Sequence, residues 1–475
     1  MLLYNSLTRT REEFVPNEAG KVKMYTCGPT VYHYAHIGNL RSYIMEDVLE
    51  KYLRYAGYDV TRVMNITDVG HLTSDADSGE DKMLKGARRE KKTVMEIAKY
   101  YTDAFFADCE KLHIKTPDVV APATGCIDEF IKVIEKLLEK GFAYAAGGNI
   151  YFDTSKLRQY YVFNDFREED LEVGVRDSVE EDSNKRNKAD FVLWFTKSKF
   201  DNQELKWDSP WGVGYPGWHI ECSCISMKYL GETLDIHCGG IDNAFPHHTN
   251  EIAQSEAYVG HKWCNYWFHV HHLNTNGGKM SKSSGEFLTV SLLEEKGYDP
   301  LVYRMFCLQS HYRKSLVFSY ENLDNATVAY RKLVARVAAL MKETQGEVDS
   351  AAFDELKARF TAALDNDLNT ALSVTALYDV LKAKTTPATK LSLIADFDRV
   401  LDLGLIAAAK KENEAAEDDG IDHDDPLVKE IEDMIRQRAE AKKAKDYARA
   451  DAIRAELSAR GVTLIDTPNG TKFTM

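Results

Sequence analysis

The sequence predicts an α/β protein: a domain built on a parallel sheet and split by an insertion, then a mostly α-helical C-terminal half and a small C-terminal module. Three observations predict it. A strand–helix–strand unit opens the chain, the same rhythm returns from Thr233 to His272 after an irregular charged stretch, and nearly everything past Tyr320 carries helical periodicity.

The first strand is KVKMY, Lys21 to Tyr25, which runs into the turn Cys27-Gly28-Pro29. A helix is expected from about Leu40 to Tyr55, because Leu40, Ile44, Val48, Leu49, Tyr52 and Leu53 recur at helical spacing and Gly57 ends the run. DVTRVMNIT reads as the next strand, completing a βαβ unit whose crossover should be right-handed. Further helices are expected over about Val94–Leu112 and Asp128–Lys140. Tyr151 to Lys206 mixes short strands with charged loops, as an insertion between two halves of a sheet would. NATVAYRKLVARVAALMKE reads as a helix, KENEAAEDDGIDHDDP as a solvated acidic linker, and DYARADAIRAELSARG as a helix before a β-like tail. The expected division is a sheet domain at 1–318 (insertion at about 115–206, loop-bearing region at about 273–318), a helical domain at 319–408, a linker at 409–425 and a terminal module at 426–475.

Composition excludes several classes. With 475 residues, 44% hydrophobic and 28% charged, the chain has the balance of an ordinary globular protein of several domains. No eighteen-residue apolar run exists and the N-terminus lacks the pattern of a secretory signal, so no membrane association is expected. Eight scattered cysteines predict reduced thiols and a cytoplasmic home. The net charge of −15 disfavours non-specific nucleic-acid binding but leaves room for a local basic face.

Two segments carry nucleotide chemistry. His36-Ile37-Gly38-Asn39 sits where a strand hands over to a helix N-terminus, whose N–H groups and dipole favour phosphate. Gly38 permits close approach, and His36 can donate a hydrogen bond to a phosphate that gains charge in the transition state. Lys279-Met280-Ser281-Lys282-Ser283 follows Asn276-Gly277-Gly278; two lysines in a glycine-hinged loop can neutralise a departing pyrophosphate. Alone, each could be a helix cap or a solvated loop. In this order, around a split parallel sheet, HIGN and KMSKS resemble the two signature motifs of class I aminoacyl-tRNA synthetases, with a Rossmann-like catalytic domain implied. The family pattern more often ends the first motif in histidine, so Asn39 is a departure that keeps a hydrogen-bonding side chain.

A third constellation bears on the substrate. Cys27 precedes the first motif, GWHIECSC supplies Cys222, and FPHHTNE supplies His247 and Glu251, four apart on one helix face opened by Pro246. Two thiolates, an imidazole and a carboxylate suit one zinc ion. Cys222, Cys224, His237 and Cys238 could compose a rival structural site. The first set resembles the metal site of cysteinyl-tRNA synthetases, in which the substrate thiolate joins the zinc. Trp218, His219, His237 and Thr67 match family positions around the cysteine pocket, and Asp242 matches a position near the substrate amine or adenosine.

The resemblance covers nearly the whole chain: DNDLNTALSV is similar to a signature of the family's helical domain, and KDYARADAIR to its anticodon-reading module. It implies that Tyr447 stacks on an anticodon base and Asp451 accepts from base edges, with Lys442, Lys443, Lys445 and Arg449 near phosphate. The activity implied is ATP-driven activation of L-cysteine, with Mg2+ accompanying ATP, and transfer to tRNA(Cys), first to the 2′-hydroxyl of the terminal adenosine, by a monomer. His36, Lys279 and Lys282 would act on the phosphates, with Gly38, Asn39 and Ser281 also in the ATP site. Alternatives are a cysteine ligase of the same fold acylating an aminosugar, and a non-catalytic zinc-stabilised RNA-binding protein. Lys82-Met83-Leu84-Lys85 resembles a two-lysine segment linked in the family to pyridoxal phosphate and persulfide formation, although a solvated helix face is the better account of it.

Overall fold

The computed structural model describes residues 1–69, 82–163, 182–197, 204–275, 278–279, 287–417, 425–444, 446–467 and 470–474. By contact it divides into two units, Met1–Ala408 and Ala409–Met475.

The first unit is organised by a five-stranded sheet. Its elements are β1 (Lys21–Thr26), α1 (Ile37–Tyr55), β2 (Asp59–Ile66), β3 (Val119–Pro122), α2 (Trp218–Leu230), β4 (Leu234–Gly240), α3 (His247–Val259) and β5 (Cys264–Val270). The strand order is β5-β4-β1-β2-β3, and every neighbouring pair is parallel. Sequence order therefore reverses between β4 and β1. In such sheets the crevice beyond the C-terminal strand ends at the reversal receives ligands. The strands are buried on both faces, as a parallel sheet requires: Val63, Ile236, Cys238 and Phe268 are all nearly inaccessible.

The expected helices form with shifted ends: Ile37–Tyr55, Val94–Lys111, Ile127–Glu139 and Tyr320–Lys342. Thr93 and Glu96 close a capping box on the second of these, a local signal that fixes its start. The inserted region carries its own antiparallel sheet, from Ala143–Ala146, Asn149–Phe152, Phe191–Phe195 and Tyr215–Pro216.

Beyond β5 follow β6 (Leu273–Thr275), β7 (Gly278–Lys279), α4 (Pro300–Leu308) and β8 (Leu316–Phe318). These three strands form one small sheet, with β6 between antiparallel β7 and parallel β8. Helices Tyr320–Lys342, Ser350–Asp365, Thr370–Lys382 and Pro387–Leu401 follow in this unit, and a further helix, Leu405–Glu417, begins in it and occupies the first part of the stretch expected to be a linker. The second unit pairs helices Pro426–Lys443 and Tyr447–Ala459 with a terminal hairpin, Thr463–Thr467 and Gly470–Thr474. Its small core is Val428, Ile431, Ile453, Leu457, Val462, Leu464 and Phe473. No helix among the described residues is long and apolar enough to cross a membrane.

Candidate metal and nucleotide site

Cys27 lies one residue past β1, Cys222 on the second turn of α2, and His247 and Glu251 on the first turns of α3. The sheet reversal brings these three segments together. One ligand atom from each of Cys27, Cys222, His247 and Glu251 lies within 4.8 Å of every other, and all four residues are buried. The two sulfurs stand 3.9 Å apart. A tetrahedral ion with Zn–S bonds of about 2.3 Å separates its sulfurs by about 3.8 Å. His247 Nε2 is 3.0 Å from Glu251 Oε1, an ion pair within the group.

A second group, Cys27, His237, His248 and Glu251, is equally compact. There His237 Nε2 meets Glu251 Oε2 at 2.9 Å, and His248, whose Nδ1 meets His269 Nε2 at 2.8 Å, turns its Nε2 to Cys27. The first group offers two thiols where the second offers one, so it fits a soft divalent ion better. The other ring nitrogen of His247 is 2.8 Å from His219 Nδ1, a contact of the kind that orients metal-binding histidines.

Electrostatics point the same way. Burial pushes both thiols up, but a hydrogen bond from Cys27 and the charge of His247 hold Cys222 down at about 6, while Cys27 stays well above its usual value. Glu251 is held at about 2 against burial by His237 and His247. Against the same penalty, Glu251 and Cys222 raise His247 to about 10. The pocket thus holds a thiolate and a carboxylate away from water with a protonated His247 as their counter-ion, and a metal ion bound there would take the place of that proton.

The rival set does not assemble: among the described residues, neither Cys224 nor Cys238 joins a metal-competent group. Cys224 feels Cys126 and Glu129, and Cys238 feels Glu46 and Arg62. Gly28 follows Cys27 for a steric reason: a Cβ there would lie 1.6 Å from the Asn65 carbonyl oxygen. Sequence reasoning missed Asn65, His248 and His269. Asn65 Oδ1 accepts from the Gly28 N–H at 2.7 Å and from the Tyr25 hydroxyl at 3.1 Å. His248 Nε2 is 3.2 Å from Cys27 Sγ. The adjacent histidines of FPHHTNE and FHVHH were the signal that could have found the last two.

Of the expected pocket residues, Trp218, His219 and His237 touch this cluster. Trp218 stacks on His247, ring centroids 4.0 Å apart. His237 stacks on Trp267 at 4.6 Å. The Thr67 hydroxyl donates to Glu221 at 2.8 Å and accepts from the Asn65 amide at 3.1 Å. Asp242 is exposed at the crevice, its Oδ1 3.0 Å from His272 Nε2.

His36 is the N-cap of α1, and its Nδ1 accepts from the Asn39 N–H at 3.2 Å. That contact places the imidazole proton on Nε2. A Cβ on Gly38 would stand 2.9 Å from His36 Nδ1, so glycine gives the ring its place. The Ile37 N–H donates to the Leu288 carbonyl at 2.9 Å, tying the motif to the segment after KMSKS. Lys279 pairs with Asn274 as part of β7. Ser281 and Lys282 lie outside the described residues, as do the side chains of Lys279, Lys82 and Lys85. Tyr447 opens its helix with 63% of its surface exposed, and Asp451 is exposed one turn later.

His36→Asn separates capping from chemistry. Asparagine caps as well as histidine, so stability should hold while substrate-dependent pyrophosphate exchange falls by about 10²–10³, the loss typical of one transition-state donor. Exchange at the native rate would reduce His36 to a cap.

The sheet reversal, a helix N-terminus at the strand ends and the HIGN and KMSKS segments define a class I aminoacyl-tRNA synthetase. The family model described as "tRNA synthetases class I (C) catalytic domain" matches residues 13–328, and "Cysteinyl-tRNA ligase anticodon binding domain" matches residues 424–472. The cysteine–tRNA ligase of Treponema denticola is 48% identical over 99% of both chains, and that of Borreliella burgdorferi 42% identical over 99% of this chain and 98% of its own. The chain belongs to the cysteine–tRNA ligase family. Its fold is similar to that of the Mycobacterium tuberculosis methionyl-tRNA synthetase in complex with methionyl-adenylate, with a TM-score of 0.53 at 16% identity, covering 83% of this chain and 92% of that one.

Proposed function

We propose that this enzyme activates L-cysteine with ATP, carries the acyl group to the 3′ end of tRNA(Cys), and selects cysteine by its sulfur through a zinc ion. The observation that carries the reading is the buried quartet Cys27, Cys222, His247 and Glu251, brought together where the sheet order reverses. A zinc ion held by these four residues would take a thiolate in preference to an alcohol and keep the substrate sulfur anionic. The chain's own residues do the rest. Trp218 covers the His247 face and keeps water from it. Asp242 holds the ammonium group or the adenosine.

In the first step a carboxylate oxygen of cysteine attacks the α-phosphorus, the bond to the bridging oxygen breaks, and pyrophosphate leaves. His36 Nε2–H and the N-terminus of α1 stabilise the phosphates, with Gly38 and Asn39 at the nucleotide. Lys279, Ser281 and Lys282 act on the departing pyrophosphate, and Mg2+ accompanies ATP. In the second step the terminal ribose hydroxyl, the 2′-hydroxyl first, attacks the acyl carbon and AMP leaves. No protein nucleophile is required; catalysis is positioning and charge stabilisation.

Tyr447 and Asp451 read the anticodon. Residues 1–318 form the catalytic domain, 319–408 the helical domain, 409–425 the linker and 426–475 the anticodon module, acting as a cytoplasmic monomer. An aminosugar ligase would have no use for the matched C-terminal module.

Pyrophosphate exchange with cysteine and with serine, before and after chelation, tests the selection. Cysteine-dependent exchange is expected to collapse on chelation and return with added zinc, with serine inert throughout. A hydrophobic or shape-based pocket would instead pass serine at about a hundredth of the cysteine rate, regardless of metal.

A further inference from the structure

We propose that Arg41 is a positioning residue for adenylate formation: its buried guanidinium holds the strand pair that carries Lys279 at a fixed place relative to the helix turn that carries His36. The inference rests on the class I reading above.

Arg41 sits on α1, two residues past the HIGN turn, and is completely buried. Among the described residues its hydrogen-bond partners are all backbone carbonyls, and no carboxylate pairs with it. Nη1 donates to the carbonyls of His271 and His272, the latter at 2.8 Å. Nη2 donates to those of His311 at 3.4 Å and Lys314 at 2.6 Å. His271 and His272 lead into β6, while His311 to Lys314 lead into β8. One guanidinium therefore grips the roots of two strands that pair in parallel, Leu273 with Leu316 through Thr275 with Phe318. The other edge of β6 pairs with β7, which places the Lys279 backbone opposite Asn274.

The same roots are bonded to each other. The His271 N–H donates to the Tyr312 carbonyl at 2.8 Å and the Leu316 N–H to the His272 carbonyl at 3.0 Å. Two further contacts hold the front of the helix: the Ile37 N–H on the Leu288 carbonyl, and the Tyr303 hydroxyl on the Ile37 carbonyl at 2.7 Å. His36 and Lys279 are thus registered through α1, with Arg41 as the link on the β6–β8 side.

A buried cation without a counter-ion is an expensive way to join two loops, and apolar residues of the same volume often stabilise as well or better. What a guanidinium adds is geometry: a planar fork with five donors reaches several carbonyls at once, which an ammonium cannot do. Fixed geometry is what the first chemical step needs. In the reading above Lys279 acts on the departing pyrophosphate, which exists only in that step, and a displacement of about 1 Å can cost about 10² in rate. Transfer to tRNA has no pyrophosphate and should feel the loss much less.

The test uses the full-length, zinc-loaded enzyme and two variants, Arg41→Lys, which keeps the charge, and Arg41→Gln, which keeps two N–H donors without it. Cysteine-dependent pyrophosphate exchange is measured beside single-turnover transfer from preformed cysteinyl-adenylate to tRNA, with zinc content and thermal midpoint as controls. Both variants are expected to lose about 100-fold in kcat for exchange with KM for cysteine unchanged, while transfer stays within about 3-fold and zinc content holds. Exchange at the native rate in both variants overturns the proposal. So does a parallel fall of exchange and transfer, or failure of both variants to fold, since Arg41 would then serve the fold alone. Absence of exchange in the unmodified enzyme would instead defeat the functional reading itself.

Discussion

Cys222→Ser is expected to remove cysteine activation by well over 100-fold, more than the 10–100-fold that loss of an outer contact to a metal site typically costs. Serine keeps the shape of the side chain, so packing around a position that is 1% exposed changes little. What it loses is the ionisable sulfur. The Cys222 thiol is held at about 6 by Cys27 and His247 against burial, whereas an alcohol in the same place stays neutral. The quartet would then offer one thiol, one imidazole and one carboxylate, a harder donor set with weaker claim on zinc. Metal analysis should show substoichiometric zinc in the variant, and pyrophosphate exchange with cysteine should fall with it. Serine should not become a substrate, because the site loses its preference for sulfur without gaining a hydroxyl partner. Undiminished cysteine exchange in Cys222→Ser would remove Cys222 from the selection machinery.

How much of this site was legible depended on whether the signal was local. HIGN is a turn at a helix start, and a turn can be read from its own residues; the structure makes His36 the cap. His247 and Glu251 were legible because four residues make one helical turn. His248 was not, since a surface helix would send it to another face. The first turns of α3 are instead buried all round, from His247 through Ser255, so periodicity carries no information there. His269 and Asn65 were hidden for a related reason: they lie on β5, at the edge of the sheet, and on β2, inside it, and both strands are buried on both faces, where alternation does not mark an inward residue. The role of Arg41 was invisible because its partners are main-chain carbonyls more than 200 positions away, and backbone atoms leave no mark on a sequence. Past Tyr320 the helical character was legible but the separate helices were not, and their contacts with α1, such as the Tyr52 hydroxyl on Asp365 and the Tyr55 ring on Phe360, join residues about 300 positions apart.

Asp47→Asn is expected to destabilise the first unit by about 3–5 kcal/mol, the cost of stranding a buried charge. Asp47 is completely buried on α1; its Oδ2 meets Arg304 Nη2 at 2.8 Å and Lys51 Nζ at 2.7 Å, and its Oδ1 accepts the Lys115 N–H at 2.7 Å. Arg304 is equally buried and spends its other donors on the carbonyls of Leu401, Leu112 and His113. An asparagine can keep the hydrogen bond to Lys115 but leaves the guanidinium without an anion. The denaturant midpoint should therefore fall sharply with an unchanged slope. Adding Arg304→Met should recover part of the loss, because the stranded charge goes with it; a double variant no more stable than the single one would assign the effect to packing. The pH dependence has a definite sign. Burial opposes ionisation, but Arg304 and Lys51 hold the Asp47 carboxyl below its usual range, as Lys51 and His113 do for Asp402. Stability from both is present above the unfolded value of about 3.9 and lost as pH falls through the folded one. The His113 imidazole, bonded to Asp402 at 2.9 Å, is raised, so its contribution is complete below about 6.5 and is lost as pH rises through its folded value. The native enzyme should thus lose stability on the acid side chiefly through Asp47 and Asp402, and Asp47→Asn should flatten that arm while leaving the His113 arm in place. An acid arm of the same steepness in the variant would mean that other carboxylates carry it.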